Sequence, residues 1–186
     1  PVSAIPENLK KNADAVIRKD LTTIQINKID DIRYQYYTVT TVLNKDGDSD
    51  AQIYIPYEKG NSISDIKVNI YDESGKKIKS FSKSDFGDFA NNNQGTFYSD
   101  NRVMAMSYTP TQYPYTVEFS YQIGDENTVF LPDFIPFRST NISLEEAQMK
   151  IINKSGIELK TKTYPSAYNY ASVTESDNAG EKIYSY

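Results

Sequence analysis

Apolar and polar positions alternate along most of this chain. Tyr115, Val117, Phe119, Tyr121 and Ile123 interleave with Thr116, Glu118, Ser120 and Gln122, the period of two expected of a strand with one buried face. Ile66, Val68 and Ile70 interleave with Lys67 and Asn69 before Tyr71 enters the turn Asp72-Glu73-Ser74-Gly75. Ile157, Leu159, Thr161 and Thr163, interleaved with Glu158, Lys160 and Lys162, predict a further strand. Residues 34–43 carry Tyr, Thr and Val on both parities, as a central strand does. Turn signals at Lys45-Asp46-Gly47-Asp48, Ser74-Gly75-Lys76 and Ser155-Gly156 separate these runs. The last run, Glu181 to Tyr186, reads as a strand that stops without a tail, as at the boundary of a domain excised from a longer protein.

Only the N-terminal segment follows the helical period. Between Ile5 and Arg18, Leu9, Ala13, Val16 and Ile17 fall on one stripe, Pro6 suits a first turn and Glu7 complements the helix N-terminus. The spacing predicts a helix of about three turns docked on a sheet. The expected fold is therefore all-β, an antiparallel β-sandwich or layered sheets with one short N-terminal helix, in a single domain spanning residues 1–186.

Composition narrows the chemistry. The chain has 38% hydrophobic and 24% charged residues, the balance of a soluble globular protein. No stretch approaches the roughly 20 apolar residues of a membrane-spanning helix. Lys plus Arg is 20 against 25 acidic residues, a net charge of −5, which argues against nucleic-acid binding. Cys, His and Trp are absent. Without Cys there is no disulfide framework and no thiolate; without His the usual general base and the commonest transition-metal ligand are missing. Neither Ser-His-Asp nor Cys-His-Asn machinery can be assembled from this chain alone. No catalytic residue, cofactor or metal is expected. The sequence opens at Pro1-Val2-Ser3-Ala4 with no apolar leader, as in a processed or trimmed chain.

Tyrosine is the surplus residue, 16 against 8 Phe, and it marks the candidate interaction surfaces. Residues 84–101 hold Asn91-Asn92-Asn93-Gln94-Gly95 between Phe86, Phe89, Phe97 and Tyr98; this is an interaction loop or, on the plainer reading, a long connection anchored by its aromatics. Tyr108, Tyr113 and Tyr115, with Pro110 and Pro114, could stack on sugars or peptides, or could equally be a stiffened turn with its rings in the core. Asn44, Asp46, Asp48 and Asp50 around Gly47 have a calcium-loop flavour, but the glycine sits too early for that pattern, and a hairpin turn is the better reading. Glu145 and Glu146 with Asp133 would suit a carboxylate-based glycosidase only if held across a cleft at a set separation.

Several of these segments resemble a domain-of-unknown-function family found N-terminal to transglutaminase-like domains in exported proteins of Bacteroidetes-type bacteria. The resemblance lies in the segment Ile5 to Arg18, in Ile53-Tyr54-Ile55-Pro56-Tyr57 followed by Ile63 to Phe81, in Asp100 to Met104, and in Tyr113 to Tyr121. It is collinear over nearly the whole chain, and none of its motifs is a catalytic signature. The resemblance implies a β-rich accessory domain of the cell envelope or periplasm, with a papain-like Cys-His-Asp domain following it. Two functions remain open. One is a module that packs on, or positions substrate for, that downstream transglutaminase-like or peptidase domain. The other is an independent glycan- or peptide-binding module using exposed Tyr. The first requires an exposed apolar patch; the second, a concave site lined by Tyr faces.

Overall fold

The computed structural model describes residues 1–91, 100–127, 130–135, 140–160, 174–178 and 181–185. The helix expected from Ile5 to Arg18 is cut to one turn, α1 (Glu7–Lys10). Asn12 then takes a left-handed backbone, φ 62°, a conformation Asn tolerates better than most residues. Strand β1 (Ala15–Lys28) follows. Ala15 and Val16 are fully buried and Ile17 nearly so. A helix would bury a single stripe, whereas this run is covered on both faces of a sheet, and β-branched Val and Ile favour that setting. Leu9 still packs where the stripe would place it, against a small cluster of Val2, Ile5 and Val16.

The remaining strands are β2 (Asp31–Val42), β3 (Ile53–Glu58), β4 (Ser62–Tyr71), β5 (Lys77–Ser82), β6 (Gly87–Ala90), β7 (Asn101–Met106), β8 (Tyr115–Asp125), β9 (Ile142–Leu144), β10 (Ala147–Asn153), β11 (Thr174–Asn178) and β12 (Glu181–Ser185). They form two sheets. The larger runs β11-β12-β10-β1-β2-β8-β4-β5, with β9 also beside β1; the smaller runs β3-β7-β6. Pairing is antiparallel except where β1 meets β9 and β10. The architecture is the expected all-β layered one.

Three connections differ from expectation. Lys45–Ala51 is a 3-10 helix, not a hairpin turn, and carries the chain from β2 in one sheet to β3 in the other. Gly47 lets it lie against β1: a Cβ there would fall 2.3 Å from the Asp14 carbonyl oxygen. Residues 157–160 form no strand, and Thr161 to Thr163 lie outside the described residues. The buried Asn153 turns the chain at that point, donating to the Ile157 carbonyl at 2.7 Å and accepting from Ser155. The flank of β10 is taken by β12. Within 84–101, β6 replaces part of the expected loop; Phe97 and Tyr98 lie outside the described residues.

The core lies between the sheets. Register aligns Ile24 with Tyr34, Tyr34 with Ile123, and Ile123 with Ile63, so one face of the large sheet presents a continuous apolar row. Ile53, Ile55 and Met104 of the small sheet close over it. Burial of these side chains, about 1.5–3 kcal/mol each, is the dominant stabilising contribution.

Candidate functional site

The sandwich leaves two sheet faces turned outward, and their chemistry differs. On the large sheet the outward rows are polar. Gln35 donates to Gln122 at 3.2 Å, and further along the same rows the hydroxyls of Thr41 and Thr116, both buried, meet at 2.8 Å. Glu118 gathers hydrogen bonds from Tyr37 (2.8 Å), Asn69 (2.9 Å) and Tyr71 (2.5 Å). Burial alone would raise its carboxyl pKa; the bonds from Tyr71, Asn69 and Tyr37, with the Lys77 charge, outweigh that and hold it below the usual value. This face satisfies itself.

The outward face of the small sheet is apolar as far as its last register pair, Glu58 with Asn101. Alternation sends Ile53 and Ile55 inward and therefore Tyr54 and Pro56 outward. Register places Ala105 and Gly87 beside Tyr54, and Val103 and Phe89 beside Pro56. Tyr54 is 50% exposed and Phe89 55%. The Phe89 ring lies over Gly87, where a Cβ would approach it to 2.6 Å. None of these six residues is charged, and Phe89 alone among them was singled out by sequence. Tyr54 and Pro56 carried a signal in Ile53-Tyr54-Ile55-Pro56-Tyr57, which is apolar at every position where a half-buried strand would alternate.

Tyr108, Tyr113 and Tyr115 come together as an aromatic cluster with Phe81, ring centroids 5.6–6.3 Å apart. Tyr115 is buried, and Tyr113 is 37% exposed. Both hydroxyls donate to Asp48, at 2.6 Å from Tyr113 and 2.9 Å from Tyr115. These bonds make the cluster a clasp between the 3-10 segment and β8, with its carboxylate taken from the acidic run. The bond to Asp48 is the main cause that pushes Tyr113 up to about 12. Glu145 and Glu146 pair with Arg18 (3.4 Å) and Lys19 (3.7 Å) of β1.

A groove of about 530 Å³ opens at one end of the inter-sheet space. Tyr34, Tyr36, Ile123 and Asp125 line it from the large sheet, Pro56, Tyr57 and Arg102 from the small one, and Phe130 from the segment after β8. Tyr34 and Tyr36 stack at 6.4 Å, and Tyr36 stacks on Tyr121 at 4.7 Å. The Tyr57 hydroxyl donates to Asp88 at 2.7 Å and accepts from Arg102 Nε at 3.0 Å; Arg102 also holds Asp88 at 3.0 Å. Burial, then Asp125, raise Tyr34 to about 12; burial raises Tyr36; and burial, with the Asp88 bond, raises Tyr57 against the pull of Arg102. Near neutral pH these tyrosines are protonated and offer ring faces and hydroxyls, not phenolates. Sequence inspection missed this groove because its walls come from segments distant in the chain.

Residues 31–186 match the family described as a Domain of Unknown Function with solved-structure structure, DUF3857. The match covers well over half of the chain, and the chain belongs to that family. No curated protein matches it significantly. Among solved structures, it resembles one described as a "putative protease" from Parabacteroides distasonis, with TM-score 0.74 and 14% identity, over 92% of this chain and 34% of that one. At that identity the likeness shows the fold alone, and this chain spans about a third of that protein's length. An M1 zinc metallopeptidase from Deinococcus radiodurans aligns over 93% of this chain and 38% of its own at TM-score 0.37 and 9% identity, too low to carry an argument.

Proposed function

We propose that this chain is a non-catalytic accessory domain that docks, through the outward face of its small sheet, on a peptidase- or transglutaminase-like domain of the same exported polypeptide. The observation that carries the reading is the face formed by Tyr54, Pro56, Val103, Ala105 and Phe89, uncharged and open beside a core-grade apolar strand. Apolar faces of this kind on otherwise polar domains mark contact surfaces. Two facts favour a partner in the same polypeptide. The fold occupies about a third of the similar protein from Parabacteroides distasonis, and the sequence resembles domains that precede transglutaminase-like ones. The catalytic Cys, His and Asp would then belong to the partner domain, consistent with a chain that has 0 His and 0 Cys.

Hydroxyl-radical footprinting of the parent protein beside the isolated chain tests this. Tyr54 and Phe89 should label strongly in the isolated chain and be protected in the parent, while Ile29, 72% exposed in the turn between β1 and β2 of the large sheet, labels in both. Equal labelling of Tyr54 and Phe89 in both preparations, or a parent gene that encodes no further domain, overturns the proposal. Cell fractionation of the source organism tests export: cytoplasmic recovery of the parent is inconsistent with it.

A further inference from the structure

We infer that the groove between the sheets is a binding site for an uncharged glycan chain, adjoining the docking face at Pro56. Three observations converge. The first is shape with aromatic lining. The groove has a volume of about 530 Å³, is open to solvent, and is lined by Tyr36, Tyr57 and Phe130. Ring faces suit the apolar C–H faces of pyranose rings, and an open groove suits a chain more than a small enclosed ligand.

The second is pre-organisation. The Tyr57 hydroxyl is fixed on both sides, by Asp88 at 2.7 Å and Arg102 at 3.0 Å, and Tyr36 is held by its stack on Tyr121 at 4.7 Å. Platforms that do not reorganise on binding keep more of the contact energy as affinity. Asn61 is oriented as well: its Oδ1 accepts from the Glu58 backbone N–H at 2.9 Å, leaving its NH2 to donate.

The third is charge. Arg102 is neutralised by Asp88 at 3.0 Å, so the remaining formal charges in the lining, Glu58 and Asp125, are both negative. Phosphorylated, sulfated and uronic ligands are repelled. Between an uncharged glycan and a cationic peptide the lining favours the glycan. Planar amides and carboxylates bond vicinal hydroxyls in pairs, while Glu58 sits exposed, where an ion pair with a peptide lysine gains little.

The test is a titration of the 186-residue chain, followed by amide NMR. The probes are cellohexaose, maltohexaose, xylohexaose and chitohexaose, with a trilysine peptide and an oligogalacturonate as charged comparators. At least one neutral hexasaccharide should bind with a Kd below about 1 mM and shift the amides of Tyr57, Asn61 and Phe130, while oligogalacturonate does not bind. Phe130→Ala, at a position too exposed to disturb folding, should weaken binding about three- to tenfold. Tyr57→Phe keeps the ring but removes the lock and should weaken it less. Four inert neutral sugars, shifts confined to another surface, an unaffected Phe130→Ala variant, or trilysine binding alone would each overturn the inference. The docking proposal would survive any of these outcomes, because Tyr54, Val103, Ala105 and Phe89 lie outside the groove's lining and only Pro56 borders both.

Discussion

Ile55 and Phe89 belong to the same small sheet but face opposite ways, and substituting each in turn tests whether the outward face is uncovered within this chain. Ile55 is 0% exposed and packs among residues of both sheets. Ile55→Ala removes buried carbon from a site closed on all sides, so transfer loss and residual cavity add to about 2–5 kcal/mol. That is a large part of the roughly 5–15 kcal/mol holding an ordinary domain together. Phe89 is 55% exposed and sits on β6, at the edge of the sheet. Phe89→Thr keeps a residue suited to a strand and loses contacts mainly with Gly87 and neighbouring outward residues, so it should cost no more than about 0.5 kcal/mol. The assay is urea unfolding of both variants beside the parent chain, comparing midpoints at constant slope. A loss of more than about 1.5 kcal/mol for Phe89→Thr would refute the reasoning, because a solvent-facing ring cannot contribute that much. It would mean that this chain already covers the face.

Three further outcomes follow from named contacts. Tyr34, Tyr37, Tyr71 and Tyr113 each titrate near 12 in the folded chain. Raised values give stability that is complete below the unfolded value of about 10 and lost as pH rises through 12; ultraviolet titration should show this late class, and Asp48→Asn should return Tyr113 toward 10. Glu118 has the opposite sign: its lowered pKa gives stability present above the ordinary 4.5 and lost as pH falls below it. Glu118→Gln should therefore flatten the acid limb of a stability-against-pH curve; an unchanged limb would show that the three-donor hub does not matter energetically. Gly47→Ala puts a methyl 2.3 Å from a backbone oxygen and should destabilise by about 1–3 kcal/mol, read as a lowered melting temperature.

The strands most legible in the sequence are those with one wet face. The alternation from Tyr115 to Ile123 predicts β8 and its buried side, because polar partners on the outward rows keep the period clean. The N-terminal segment misleads for the converse reason. Ala15 and Val16 are buried between neighbouring strands with cover on both faces, so the segment has no polar face to reveal a period of two, and a helical stripe fits by coincidence. Alternation from Ile157 is real, but a strand also needs an unpaired neighbour, and at residues 157–160 none is formed, β12 occupying that side of β10. The candidate site was less legible. Phe89 could be noticed as an aromatic beside a polar run; its companions Tyr54, Pro56, Val103 and Ala105 join it only through the register of β3, β7 and β6. No local pattern encodes pairing between residues so far apart.

The two outward faces follow from one difference in how they meet their polar requirements. The large sheet turns its outward rows into a hydrogen-bonded lattice, with Glu118 accepting from three side chains and Gln35 meeting Gln122. A partner would have to disrupt that lattice, and unpaired groups left at a new interface cost more than the bonds formed return. Tyr54, Pro56, Val103, Ala105 and Phe89 on the small sheet's outward side put apolar groups where the large sheet puts its lattice, so covering them removes apolar surface from water. The same strands turn Tyr57 and Arg102 inward, toward Asp88 and the groove. Three short strands can therefore present a dry surface for a domain on one side and a fixed aromatic platform for a ligand on the other. The two surfaces are linked through β7, which carries both Arg102 and Val103, and through β3, where Pro56 borders both, so binding at the groove disturbs docking only as far as it moves these strands.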